Sequence, residues 1–308
     1  MKTQPLFLAA GLLALFTVSA QARIDRVVEK TFNVKPGGVL AVETQGGSIR
    51  VDTAETSQVT VVAKQRIKAS SEREADELLE RLSLTIEEVS NGVSAKAKYG
   101  RMGWGSNPVQ VDFVVTVPVR YDVALQTSGG DVKVGDLDGE VRARTSGGNV
   151  SIGKVTKRVH ANTSGGNISL VEGQGDVRLN TSGGNIQVER VVGVTELDTS
   201  GGDITIESME GSVDADTSGG NVTAGIRGAL TGDCSLSTSG GRVRATVDRD
   251  VGFNLDASTS GGRVSADGLT ITIDKGGAGR SKLSGRVNGG GPTLRMRSSG
   301  GDVVIETR

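Results

Sequence analysis

The chain has one cysteine, one histidine and very few aromatic residues, and each shortage closes off a class of protein. A lone cysteine, Cys234, permits no intramolecular disulfide, so nothing staples this fold covalently. A lone histidine, His160, leaves no second imidazole for a zinc site or partner for a Ser-His-Asp triad. It stands between Val159 and Ala161, which places it on the outward side of a strand. Aromatics make up 3% of the residues, too few large side chains to fill a thick globular core. The formal net charge is −1, which removes any global attraction to nucleic acid or anionic lipid. Beyond the N-terminus no apolar run approaches the ~20 residues that cross a bilayer, so no integral membrane span is expected.

Residues 1–22 carry the layout of a secretory signal peptide. Lys2 supplies the positive start, Leu6 to Val18 the apolar stretch, and Ala20-Gln21-Ala22 the small-x-small cleavage pattern. Arg23 rather than a cysteine follows, which argues against a lipoprotein anchor. The expected location is therefore the periplasm, the cell surface or the extracellular medium. The exported chain divides into an N-terminal portion, 23–122, and a repeat region, 123–308.

What is abundant is glycine. There are 46, about twice the usual share of ~7%, and many fall in one tetrapeptide. Thr-Ser-Gly-Gly begins at Thr127, Thr145, Thr163, Thr181, Thr199, Thr217, Thr238 and Thr259, first in steps of 18 residues and then of 21. Ser298-Ser299-Gly300-Gly301 is a degenerate last copy, and Thr44-Gln45-Gly46-Gly47 an early outlier. Before each copy apolar residues alternate, as in Val159, Ala161, Thr163. After it they alternate again, as in Ile168, Leu170. Both flanks have period two and read as strands with one inward face, with Ser-Gly-Gly as the corner. Glycine fits a corner that needs either positive φ or close stacking of successive turns. A third stretch, with Val155, Val171 or Val192 pointing inward, completes each turn. The reading is an all-β chain: a parallel β-solenoid (β-helix) of about 18-residue coils, stacked at ~4.8 Å. The inward parity of the threonine column excludes a flat ice-binding face and leaves its hydroxyls to satisfy corner amides and one another.

The 23–122 portion lacks the strict repeat and is expected to form a small α+β cap on the open N-terminal end of the solenoid. Val39 to Val42 and Ile49 to Val51 flank Gly46-Gly47 as strands, and Val59 to Ala63 continues the sheet. Ser71-x-x-Glu74 is a capping box that opens a helix through Leu78, Leu79 and Leu82. Asn91-Gly92 turns a hairpin between Leu84–Val89 and Val93–Tyr99. Val109 to Val117 alternates cleanly up to Pro118.

Chemistry is hard to place on this frame. The residue after Gly-Gly runs Asp131, Asn149, Asn167, Asn185, Asp203, Asn221, Arg242, Arg263. A column that ends in arginine is not a calcium-ligand column, and an asparagine ladder with amides bonding along the rod accounts for its middle. Cys234 occupies a core column and reads as a small buried residue. No acidic column recurs beside a basic residue, as a carbohydrate-active β-helix lyase would need. No metal, cofactor or catalytic residue is therefore expected. Charge is uneven: Glu189 to Asp233 holds nine acidic residues against two arginines, and Arg242 to Arg308 eleven basic against seven acidic. The candidate contact residues are Tyr99, Arg101, Met102 and Trp104 in a glycine-rich loop, and Arg242, Arg244 and Arg263. Arg242 and Arg263 share one column and would form a basic stripe.

The Lys35-Pro36-Gly37-Gly38 opening, the Thr44–Val51 strand pair, Val117-Pro118, the repeats and Val287-Asn288-Gly289-Gly290-Gly291-Pro292 together resemble the bacterial putative-adhesin family of β-strand-repeat domains. That resemblance implies a β-solenoid in the envelope or outside the cell, no catalytic residues, and adhesion as the inferred role. The expected partner is an envelope component, protein or glycan, bound by an exported scaffold. The alternatives are a periplasmic accessory of envelope-stress signalling and, third, a carbohydrate-active enzyme.

Overall fold

The computed structural model describes residues 23–100 and 107–308, and the signal-peptide expectation lies outside them. Strands β1 (Arg23–Asn33), β2 (Val39–Thr44), β3 (Ile49–Ala54) and β4 (Gln58–Lys68) precede helix α1 (Glu72–Leu79). Then come β5 (Leu82–Val89), β6 (Gly92–Tyr99) and β7 (Val109–Pro118). The repeats begin with β8 (Asp122–Thr127), β9 (Val132–Val134), β10 (Val141–Arg144), β11 (Val150–Val155), β12 (Val159–Asn162), β13 (Ile168–Gln174) and β14 (Val177–Thr181). Two 14-residue strands, β15 (Ile186–Thr199) and β16 (Ile204–Thr217), each serve two successive coils. The chain ends with β17 (Val222–Leu230), β18 (Cys234–Thr238), β19 (Val243–Val247), β20 (Phe253–Thr259) and β21 (Val264–Asp267). Last are β22 (Ile271–Gly279), β23 (Lys282–Val287), β24 (Thr293–Ser298) and β25 (Val303–Thr307).

Period-two alternation becomes a parallel solenoid because each apolar residue meets its own equivalent one coil away. Val141 pairs with Val123 and Val159, and Val150 with Val132 and Ile168, all in register. The strand before each corner joins one sheet and the strand after it a second, and their inward side chains are buried throughout. In the third stretch the inward column is Leu137, Val155, Gly173, Val191, Met209, Ile226, Val247. Val155 was expected there, but Val171 and Val192 are only partly buried. Two successive outward residues, Gly153 and Lys154 in β11, shift the parity, so the inward position falls three residues after the last core residue of the strand.

The threonine column holds the corner together. Thr181 Oγ1 donates to the Gly166 carbonyl of the neighbouring coil at 2.9 Å and accepts from its own Gly184 N–H at 3.3 Å. Thr145, Thr163, Thr199 and Thr217 repeat the arrangement. The hydroxyls satisfy backbone groups and do not bond one another. Thr181→Val keeps the shape and strands two buried backbone groups, so it is expected to cost about 1–2 kcal/mol in a denaturant melt.

Glycine is required at the second corner position, and the cause is contact rather than dihedral. A Cβ on Gly166 would lie 2.0 Å from the Gly148 carbonyl oxygen, and one on Gly184 1.9 Å from that of Gly166. At the first position space is ordinary in the middle coils, 3.7 Å for Gly165 and 3.6 Å for Gly183, and tightens to 3.0 Å at Gly261 and Gly300. The corner glycines have no positive φ; that conformation falls on a second column, Gly175, Gly193 and Gly211, at the far turn of the coil.

Chain order and stacking order part company at both ends. β2 lies between β6 and β8, and β3 between β7 and β9, so the first coil is interior and the later β6–β7 coil lies outside it. These ladders cross the 122/123 boundary without a break. At the other end β24 lies between β18 and β20, and β25 between β19 and β21. The last coil in sequence therefore fills a slot one layer in.

Beyond the outermost coils the pairing turns antiparallel. β5 covers β6, β4 covers β7 and β1 covers β4. At the far end β23 covers β20 and β22 covers β23, a hairpin the sequence pattern did not announce. The Asn91-Gly92 hairpin forms as expected between β5 and β6. Helix α1 is capped by Ser71, whose hydroxyl accepts from Glu74 N–H at 3.2 Å, while Glu74 reaches back to Ser70 rather than Ser71. The helix stops at Leu79, and Leu82, expected within it, starts β5.

Candidate functional site

With the interior apolar and the corners committed to stacking, what remains to meet a partner is the outer faces and the ends. On the outer face of the first sheet, two columns point to solvent. One runs Ala41, Ala124, Arg142, His160, Arg178, Glu196, Asp214, Ser235, Arg295, and the other follows two residues later in each strand. Charge is blocked along it. Arg142, Arg144 and Arg178 precede Glu196, Asp198, Asp214 and Asp216, and Arg295 and Arg297 follow. Arg178 pairs with Glu196 at 3.2 Å across the junction. Over the small Ala41 and Ala124 the face sinks into a depression of about 500 Å³ that reaches His160.

The acidic block strains its own members. Partial burial pushes the Asp198 carboxyl above the ordinary aspartate range, and Asp216, Glu196 and Asp214 add to the shift. A carboxyl raised on folding contributes stability at low pH that is lost as pH rises through its folded value. Asp198→Asn is therefore expected to raise the melting temperature at pH 7, the gain shrinking as pH falls through the acid range.

The outer face of the second sheet carries the column after Gly-Gly. Its side-chain oxygens accept from the next coil's backbone: Asn167 N–H donates to Asn149 Oδ1 at 2.9 Å and Asn185 N–H to Asn167 Oδ1 at 2.8 Å. This corrects the amide-to-amide ladder expected from sequence: no asparagine side-chain amide of the column bonds another, although Asn149 and Asn221 also donate Nδ2 to Asp131 and Asp203 at 3.3 and 3.1 Å. Only an acceptor is needed, which is why Asp131 and Asp203 serve as well as asparagine.

The expected contact residues are scattered. Tyr99 is 8% exposed, ends β6, and gives its N–H to Gln45 Oε1 at 2.8 Å, so its ring belongs to the core. Arg101, Met102 and Trp104 lie outside the described residues. Arg242 and Arg263 do share a column, but the inserted last coil puts Asp302 between them. Asp302 sits 3.6 Å from Arg242 and accepts the Arg263 N–H at 2.9 Å, so the basic stripe is broken by an acid. Arg244 pairs with Glu306 at 3.2 Å. Arg242 and Arg244 border a shallow groove of about 270 Å³ with Asn221 and Thr223. Missed by the sequence reading was the charge pattern of the first outer face. Its signal was present in the variable positions of each Val-x-Ala-x-Thr.

His160 lies between Arg142 and Arg178 in its column, with no acid or nucleophile on an adjacent strand position. Cys234 is buried, and burial pushes its thiol up, away from the reactive thiolate. Among the described residues no three His, Cys, Asp or Glu side chains converge on a metal position, and no helix is long and apolar enough to cross a membrane.

The molecule is thus a parallel β-solenoid whose available surfaces are its flat outer faces and its capped ends. The chain belongs to the Toastrack DUF4097 family, whose model matches residues 39–306. No curated protein sequence matches it. Among solved structures it is similar to a putative lipid binding protein from Parabacteroides distasonis, at 13% identity over 92% of this chain and 96% of that one (TM-score 0.40). It is also similar to a putative adhesin from Bacteroides fragilis, at 14% identity over 92% and 97% (TM-score 0.35). A third is a putative cell adhesion protein from Clostridium sporogenes, at 12% identity over 92% and 100% (TM-score 0.21).

Proposed function

We propose that this chain is an exported, non-catalytic binding or scaffolding module of the cell envelope, of adhesin type. The observation that carries the reading is the use made of its polar groups. Corner threonines, the asparagine column and several arginines, Arg178 and Arg242 among them, hold coil to coil, and among the described residues the outer faces carry open depressions but no enclosed site of convergent groups. A rod of this kind presents surface and does no chemistry of its own.

The segment Arg101–Gly105 is the proposed partner contact, because Tyr99 is core and Arg242 is already paired with Asp302. The test is capture of envelope components, protein or glycan, on the chain from Arg23 to Arg308. Trp104→Ala is expected to lower capture about tenfold with little salt dependence, while joint Arg242→Ala and Arg263→Ala leaves it unchanged. Capture equal to wild type in both variants would move the partner site to the outer faces. Mass spectrometry of the exported protein should place its N-terminus at Arg23; a chain still carrying residues 1–22, or found in the cytoplasm, overturns the export half of the reading.

A further inference from the structure

The blocked charges on the first outer face are arranged so that the face complements itself when reversed. Take β14 as the centre and count strands outward in stacking order. Two strands away lie β10 on one side and the second half of β16 on the other. They carry Arg142 and Arg144 against Asp214 and Asp216. One strand away lie β12 and the second half of β15, with His160 and Asn162 against Glu196 and Asp198. Four strands away lie β2 and β24, with Glu43 against Arg297. The same pair sets the depression over Ala41 opposite the long side chain of Arg295. At three strands both sides are uncharged, Gln126 against Ser235 and Ser237.

We propose that this face is a self-association surface on which a second copy of the chain lies antiparallel, its two-fold axis along β14. Rotation by 180° about a line parallel to the strands reverses the stacking direction and keeps each outward column facing its own kind. Arg142 then meets Asp214 and Arg144 meets Asp216, each contact occurring twice as an isologous interface requires. A parallel arrangement would set the acidic block on the acidic block. Among the described residues Arg144, Asp198 and Asp214 have no ion-pair partner within the chain; Arg142 pairs with Glu140 at 2.8 Å, Glu43 with Lys98 at 3.2 Å and Arg297 with Asp256, surface pairs weak enough for a partner's charge to share. On the axis Arg178 meets its own copy, and its pairing with Glu196 at 3.2 Å tempers that repulsion. Eleven strands at ~4.8 Å and five residues at ~3.3 Å give a face of roughly 50 by 16 Å, about 800 Å² a side. That is the size of an ordinary specific interface. Self-association through this face needs no other partner.

The experiment is sedimentation of the chain from Arg23 to Arg308 with two charge-reversal variants, circular dichroism confirming that each is folded. Wild type is expected to dimerise, more weakly as salt rises. Asp214→Arg with Asp216→Arg makes both blocks basic, and Arg142→Asp with Arg144→Asp makes both acidic. Each variant alone should lose self-association about a hundredfold, since like charges then face each other. Mixed, the two should form a one-to-one heterodimer, because every basic block again meets an acidic one. Asn180→Cys, on the axis, should cross-link to its own copy through a short bismaleimide, Cys234 being buried. Overturning results would be a monomeric wild type, variants that associate as wild type does, a mixture that fails to pair, or cross-linking at Asn180→Cys no faster than at a cysteine on the opposite sheet.

Discussion

Gly166→Ala is expected to cost at least about 3 kcal/mol, and Gly165→Ala, one residue earlier, less than about 1 kcal/mol. The added methyl is the same and the helix or strand propensities are irrelevant at a corner. What differs is the distance to the coil below. At Gly166 the methyl would be 2.0 Å from the Gly148 carbonyl oxygen, a backbone atom that cannot swing away without breaking the ladder. At Gly165 it would be 3.7 Å from the Gly147 oxygen, an ordinary contact. Neither residue has a positive φ, so strain in the dihedral contributes to neither. Paired urea melts measure both, and equal losses would show that the corner is held by something other than close stacking.

The second large effect comes from the C-terminus. Deleting Pro292–Arg308 should do far more harm than deleting the 11 residues of β1, although both are chain ends. β1 pairs as a strand only with β4, its bonds elsewhere are the side-chain contacts of Arg26 with α1 and of Lys30 with β5, and it buries no residue fully, so its loss removes an edge. β24 and β25 are interior, each hydrogen-bonded on both sides. Their loss leaves a one-coil gap, parting β20–β23 from the rest and exposing the row of apolar residues around Met296 and Ile305. Terminal segments ordinarily fray first. Here the amides of β24 and β25 should be among the slowest to exchange with deuterium in the intact protein, and the truncated chain should be cut by protease within 250–291. Fast exchange in β24 would contradict the interior placement.

The coil itself was legible because burial has a period. Val159, Ala161 and Thr163 before a corner, Ile168 and Leu170 after it, and a fixed step of 18 residues leave little choice of architecture. The order of stacking was not, and the reason is the repetition. Ser298 donates to the Gly241 carbonyl at 2.8 Å as Thr238 does to that of Gly220 at 2.7 Å. Since every corner offers the next the same contact, the sequence of corners does not say which sits on which. The Arg242–Arg263 stripe failed for this reason alone: the column was right and the neighbour was Asp302. Tyr99 failed differently. Alternation along β6 already made it inward, and the glycines that follow obscured that. The third stretch was misread at Val171 and Val192 because paired outward residues break the parity on which the reading depended.

A ladder of like contacts also decides how such a protein can change in size. Between β10 and β16 each coil presents to the coil above what it receives from the coil below, so removing 164–181 would bring Gly184 onto Gly148 as Gly166 now sits. The rod can therefore shorten or lengthen in its middle by whole coils. Its two ends cannot take part, because each is closed by a coil threaded out of order. Length is quantised in steps of one strand spacing, ~4.8 Å, and the ends are inherited unchanged. Each such step would move the charge blocks of the first outer face relative to one another, so a rod of altered length would be expected to recognise a copy of its own length better than one of another.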